Sequence, residues 1–313
     1  MSPREKLIAL SSGILGLLVV ASLVGAILAA RASTESARRT VANLNDRTRA
    51  WWWMVAVLGG ALALGESATL VLFALASLFA LREFLSLTPT RPGDYRALVL
   101  AFWIAIPAQY ATIHLREVGV FAILIPVYAF LVLPSVTAFS GDTQDFLHRA
   151  AKLQWALMVC VYCLSHAPAL LLLEIPGYEG PNALLLLYLL LVVQLSDVFQ
   201  YVFGKLFGRT ALAPTVSPSK TIEGLVGGGL AATLVGGSLW WITPFTFVQS
   251  LAMSAGIVAM GALGGLALSA VKRSLGAKDW GSMIEGHGGM LDRVDSVCFA
   301  APVFFHLTRR FFT

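Results

Sequence analysis

Apolar residues run along this chain in long blocks and do not alternate with polar ones. Ten blocks stand out, at about 7–30, 51–65, 67–88, 97–114, 118–139, 153–173, 183–203, 222–243, 248–270 and 294–311. A hydrocarbon core of about 30 Å is crossed by about 20 apolar residues of helix. Backbone N–H and C=O groups must pair with one another inside lipid, so blocks of this length predict helices despite their Val and Ile content. Pro107, Pro126 and Gly227–Gly229 fall inside blocks. Membrane helices tolerate such residues where neighbours satisfy the backbone. Gly261 and Gly265, four apart, predict a close helix–helix approach. The first block is too long for a signal peptide, and no clear small-residue cleavage site follows it.

Composition narrows the class. The chain has 313 residues, 58% hydrophobic and 12% charged, with mean hydropathy +0.79. A soluble domain carries about 25% charged residues. Half that density leaves apolar surface that would aggregate in water. Disorder is excluded by the opposite argument, since apolar content is high. The expectation is an all-α, polytopic integral membrane protein of about ten transmembrane helices, or nine if the first block does not span. Residues 1–180 would hold about six N-terminal helices and a basic loop at 31–50. Residues 181–313 would form a C-terminal catalytic region. The 31–50 stretch predicts a solvated loop, with a short amphipathic helix on the anionic leaflet as the alternative. Trp51, Trp52 and Trp53 then mark an interface.

The formal net charge is +5. In this setting the positive-inside rule accounts for it, and no nucleic-acid partner is implied. With ten spans and both ends outside, only Arg4, Lys6, Arg116, Arg309 and Arg310 of the 22 Lys and Arg lie on the outer side. Cys160, Cys163 and Cys298 all lie in apolar runs and read as small buried side chains. The Cys-x-x-Cys spacing lacks the second pair that zinc needs.

Two stretches on the inner side hold the candidate chemistry, 196–224 and 269–295. Asp197 lies within an apolar run, where an ionisable residue is costly and by default functional. Ser217-Pro-Ser-Lys220-Thr-x-Glu223 stands directly before a helix, whose free N–H groups favour an anion. Thr221 or Ser219 would cap that helix, and Glu223 is either a cap or a site acid. The second stretch gathers Lys272, Arg273, Lys278, Asp279, Glu285, His287, Asp292, Arg293 and Asp295. Gly286, Gly288 and Gly289 around His287 let backbone approach a ligand. Carboxylates mixed with cations suit a magnesium–phosphate site.

These residues resemble the signature of the phosphatidate cytidylyltransferases, also called CDP-diacylglycerol synthases. Ser269, Lys272-Arg273, Lys278-Asp279, His287-Gly288-Gly289 and Asp292-Arg293-Val-Asp295 match the family's signature element by element. Asp197, Gly204-Lys205, Gly208-Arg209 and Ser217-Pro-Ser-Lys220-Thr-Ile-Glu223-Gly224 resemble its preceding block. Three positions depart from the pattern. Glu285-Gly286 replaces Pro-Gly, and Ser196-Asp197 replaces Asn-Asp. Gly264-Gly265-Leu266 replaces Gly-Asp-Leu, so a carboxylate often given a metal role is missing.

The resemblance implies transfer of a cytidylyl group from CTP to phosphatidate, releasing pyrophosphate. It implies Asp292, Asp295, Lys272, Arg273 and His287 as catalytic residues. Asp292, Asp295, Asp197 and Asp279 would hold Mg²⁺, with a second cation left open. Ser217, Lys220, Ser269, Lys272, Arg273, Lys278, Gly288 and Gly289 would bind the phosphates of CTP and lipid. The partners would be CTP, phosphatidate and bilayer lipid, and a homodimer is compatible with this. The location would be a bacterial inner membrane with the site on the cytoplasmic side. The alternatives are a CTP-dependent kinase of polyprenol-type lipids, a transporter and an inactive homologue. A reporter enzyme attached to the C-terminus is expected to be active on the outer side. Activity confined to the cytoplasm would overturn the ten-span orientation.

Overall fold

A computed structural model of the chain describes residues 2–31, 33–281 and 288–313. Each apolar block lies in a helix. The helices are α1 (Pro3–Arg31), α2 (Glu35–Leu64), α3 (Glu66–Ser86), α4 (Pro92–His114) and α5 (Val118–Ala138). They continue as α6 (Phe146–Leu172), α7 (Ala183–Phe207), α8 (Gly224–Ser238), α9 (Phe247–Ser274) and α10 (Leu291–Phe312). Of these, α1, α3, α4, α5, α6, α7 and α9 make seven that are long and apolar enough to cross a membrane. The other three fall short for visible reasons: α2 is apolar only in its second half, α8 is short, and α10 carries charge at both ends. The protein is an all-α polytopic membrane protein. A two-stranded antiparallel hairpin, β1 (Ala211–Ala213) and β2 (Ser217–Thr221), interrupts the helices.

The 31–50 stretch is a correction to the expected loop. From Glu35 it is one continuous helix with the apolar block that follows. Thr34 caps it, its side chain accepting from Ala37 N–H at 3.2 Å. Residues 35–50 contain neither Gly nor Pro, and Glu35–Arg39 and Asp46–Arg49 pair at helical spacing. Nothing in the sequence stops the helix before Gly65, whose φ of +102° breaks it from α3. Four helices contain π turns, at 101–105, 124–129, 158–163 and 224–228. Pro107 and Pro126, at the first two, lack the N–H that a regular turn uses.

Leu17, Val20, Leu23 and Ile27 of α1 are exposed, as lipid-facing residues are. One core joins both halves of the chain, and Leu81, Leu157, Leu164, Leu184–Leu186 and Phe304 are fully buried in it. Polar contacts cross-link the helices. Tyr188 Oη lies 2.7 Å from Ser254 Oγ and 2.9 Å from Ser250 O. Tyr110 Oη donates to Phe73 O at 2.8 Å and lies 2.7 Å from Ser77 Oγ. In hydrocarbon such groups bond one another because water is absent. The Gly261–Gly265 region of α9 does pack closely on α10: a Cβ on Gly264 would lie 2.7 Å from Phe299.

An ion-pair cluster locks the α3–α4 and α5–α6 connections together. Arg149 Nη1 donates to Asp142 Oδ2 at 2.7 Å, and its Nε lies 3.3 Å from Asp94 Oδ1. Arg91 Nε reaches the same Asp142 oxygen at 2.8 Å. Arg91 and then Arg149 hold the Asp142 carboxyl down at about 2. The Arg149 side chain is 5% exposed and Asp94 10%. Breaking such a buried pair strands a charge and costs about 3–5 kcal/mol. Arg149→Met is therefore expected to lower the melting temperature of the solubilised protein markedly. Adding Asp94→Asn is expected to restore part of the loss.

Candidate active site

Four segments meet at one end of the C-terminal helices. They are the last turns of α7, strand β2, the end of α9 and the start of α10. The β1–β2 hairpin is tied down by Glu223, whose carboxylate accepts from Arg209 N–H at 3.0 Å and Thr210 N–H at 3.1 Å. Those N–H groups, Arg209 first, push the Glu223 carboxyl down to about 2. A depressed carboxyl stabilises the fold above its ordinary range, and that contribution is lost progressively as pH falls from that range through about 2. Glu223 therefore does not cap the helix that follows it, which corrects one reading of its position; it ties the hairpin. Thr221 Oγ1 accepts from Gly224 N–H at 3.1 Å, capping α8.

The hairpin sends Lys220 against α9. Its Nζ lies 2.9 Å from where a Cβ on Gly265 would stand, and Ser296 Oγ lies 3.5 Å from the same point. The place of the family carboxylate is filled from the side by an amine. Ser296 Oγ also donates to Asp197 Oδ1 at 3.3 Å, and Ser296 N–H to Asp295 Oδ1 at 2.7 Å. Asp197 and Asp295 are close enough to repel, and both feel the charge of Lys220. Lys272 acts on Asp295 as well. Asp197 is exposed and Asp295 half-buried, so this acid pair lies at the surface of the protein. Lys205, two turns further along α7, lies over the Tyr201 ring.

Asp292 does a different job. Its Oδ1 accepts from Lys272 Nζ at 2.6 Å, and both side chains are 10% exposed. Its Oδ2 accepts from Trp280 N–H at 2.8 Å and Gly289 N–H at 2.9 Å. One carboxylate therefore joins α9, the turn after it and the start of α10. Gly288, at φ +79°, sits against this carboxylate: a Cβ there would lie 2.7 Å from Asp292 Oδ2.

Glu83 of α3 completes the loop and was missed in the sequence. It accepts from Met290 N–H at 2.8 Å and Leu291 N–H at 2.9 Å, capping the buried start of α10. A Cβ on Gly289 would lie 2.3 Å from Glu83 Oε2. The signal available was an acid inside an apolar block, the same signal that singled out Asp197. Trp280 is 1% exposed and stacks on Phe84, the next residue of α3, at 5.0 Å.

The remaining candidates are placed as follows. Arg273 is exposed; its Nε donates to Val216 O at 3.2 Å and its Nη1 to Ala277 O at 2.9 Å, fastening the hairpin turn. Ser269 Oγ donates to Gly265 O at 2.6 Å within α9. Ser217 pairs with Ala213 in the hairpin. Lys278 and Asp279 lie exposed in the turn, with Asp279 acting electrostatically on Arg293. His287 and Glu285 lie outside the described residues. Among the described residues no three His, Cys, Asp or Glu side chains form a ready metal cage.

The model of the Cytidylyltransferase family matches residues 45–311. The chain is 36% identical over 296 residues to the Escherichia coli (strain K12) protein described as uncharacterized protein YnbB, covering 94% of this chain and 95% of that one. It is 33% identical over 242 residues to a phosphatidate cytidylyltransferase of Staphylococcus haemolyticus (strain JCSC1435), covering 75% and 88%. A phosphatidate cytidylyltransferase of Aquifex aeolicus (strain VF5) is 35% identical over 139 residues, covering 44% and 52%.

Hydrogen bonds to a charged partner contribute about 1.5–3 kcal/mol each. Glu83→Ala, which removes two, is expected to lower the melting temperature and the activity together. Glu83→Gln keeps one acceptor and is expected to lose about half as much stability. An unchanged melting temperature in Glu83→Ala would remove the cap.

Proposed function

Because the chain belongs to the cytidylyltransferase family, we propose that it transfers the cytidylyl group of CTP to phosphatidate, giving CDP-diacylglycerol and pyrophosphate. The observation that carries this reading is the meeting of Asp197, Asp295 and Lys220 about Ser296 and Gly265, with Lys272 held nearby on Asp292. The names of the Staphylococcus and Aquifex relatives supply the lipid acceptor.

The reaction joins two polyanions. An oxygen of the lipid phosphate attacks the α-phosphorus of CTP. The bond from that phosphorus to the bridging oxygen of the β-phosphate breaks, and pyrophosphate leaves with the electron pair. The nucleophile is already anionic near neutral pH, so no strong base is required. The barrier is charge repulsion and alignment. Lys220 and Lys272 supply positive charge for the phosphates, Lys272 being held in place by Asp292. Burial strengthens that contribution, because water screens less there.

The donor set suits Mg²⁺. Asp197 and Asp295 offer hard oxygens, and Mg²⁺ is usually held by one or two carboxylates, waters and substrate phosphates. Asp197 and Asp295 are assigned as its acids. Both oxygens of Asp292 are engaged in the loop, so it is assigned to positioning. When bound, the ion neutralises phosphate charge. The site is assigned to the cytoplasmic face of a bacterial inner membrane by the distribution of Lys and Arg.

Purified protein given Mg²⁺, phosphatidate and CTP labelled at the α-phosphate is expected to put label into lipid and release pyrophosphate. CDP with an unlabelled phospholipid product would instead establish a kinase. Asp295→Asn is expected to abolish labelling without changing the melting temperature by much. Near-normal turnover in that variant would overturn the assignment.

A further inference from the structure

The proposed reaction needs a place for the lipid's phosphate, and two cations given no role above supply one. Arg47 of α2 and Lys205 of α7 lie over the same Tyr201 ring, each 5.9 Å from its centroid. The two cations are therefore at most twice that distance apart. Among the described residues neither makes an ion pair. Cations attract a ring face at this range, but they also repel each other. An anion between them relieves that repulsion.

Position identifies the anion. Asp197, Tyr201 and Lys205 are spaced four apart, so they share one stripe of α7 running from the acid pair to the helix end. Arg47 lies one turn before Trp51–Trp53, at the level where aromatic residues meet the membrane interface. Its charge also reaches Arg293, the neighbour of Asp292. Among the described residues α2 packs on α1 and α3 but not extensively on α7. Val198 and Val202, flanking the stripe, are exposed. A ligand arriving between α2 and α7 comes from the bilayer side, with apolar surface for its chains and cations at headgroup depth.

We propose that Arg47 and Lys205, arranged about Tyr201, form the binding site for the phosphate headgroup of the lipid acceptor. The site holds that phosphate at the interface on the Asp197 stripe of α7. Free CTP, approaching from water, does not use it. This assignment rests on the function proposed above, so its test includes a binding measurement independent of turnover.

The variants are Arg47→Gln, Lys205→Gln, their double and Arg47→Lys, checked first for unchanged melting temperature. In mixed micelles the double variant is expected to raise the KM for phosphatidate at least tenfold, with the KM for CTP within twofold. Arg47→Lys is expected to fall between. Equilibrium binding of radiolabelled phosphatidate to the protein in micelles without CTP is expected to weaken tenfold in the double variant. Competition by inorganic phosphate at millimolar concentration is expected to be slight, because the lipid chains contribute to binding. Unchanged phosphatidate KM and binding would overturn the site. A raised KM for CTP alone would also overturn it, in favour of a nucleotide contact. Equal displacement by inorganic phosphate would overturn the lipid assignment. If the wild-type protein makes no CDP-lipid yet loses phosphatidate binding in the double variant, the headgroup site stands and the transfer reaction fails.

Discussion

A carboxylate taken out of water must find its full set of donors, and one end of the C-terminal helices is built around that requirement at Asp292. Burying an unpaired charge costs several kcal/mol. Asp292 meets the requirement with one ammonium and two backbone N–H groups. The three donors belong to α9, to the turn after it and to the start of α10. Satisfying one side chain therefore fixes three pieces of backbone at once. Lys272 gains a defined position by the same bond, near enough for its charge to act on Asp295.

The same requirement binds the two halves of the chain. The first N–H groups of α10 have no partners within their own helix. Glu83 supplies them from α3, more than two hundred positions earlier in sequence. Trp280 stacking on Phe84 adds an apolar contact at the same place. The catalytic motifs thus depend on a helix that contains none of them. The N-terminal helices do more than anchor the protein, since α3 shapes the loop and α2 brings Arg47 to its edge.

Helix positions were legible because hydrocarbon leaves the backbone one economical solution, and ten apolar blocks became ten helices. The extent of α2 was not, because polarity marks exposure to water and does not mark the end of a helix. The run from Glu35 to Ala50 is polar yet free of helix breakers. In the site, the residue types were legible and their duties were not. Asp292 and Asp295, three apart, share a helix face, yet one is consumed by donors and the other faces Asp197. Gly288 and Gly289 leave room for the Asp292 and Glu83 carboxylates, a reason that only tertiary contact reveals. Glu83 itself stood unmarked because nothing in the spacing of residues links it to position 290.

The exchange at Gly265 shows how such duties move between residues. An aspartate at position 265 would start its side chain 2.9 Å from Lys220 Nζ, the far end of a flexible chain that a small shift moves clear. The hairpin makes the reach of Lys220 available, because Glu223 pins Arg209 and Thr210 and sets β2 beside α9. With glycine at 265, two acids stand near the amine where the family pattern has three, and charge balance shifts toward the cationic side. Phosphate-rich reactants favour that shift, since each brings more negative charge than the two carboxylates can tolerate without compensation. The residue that departs most from the family pattern thus sits where charge compensation by another residue is closest at hand.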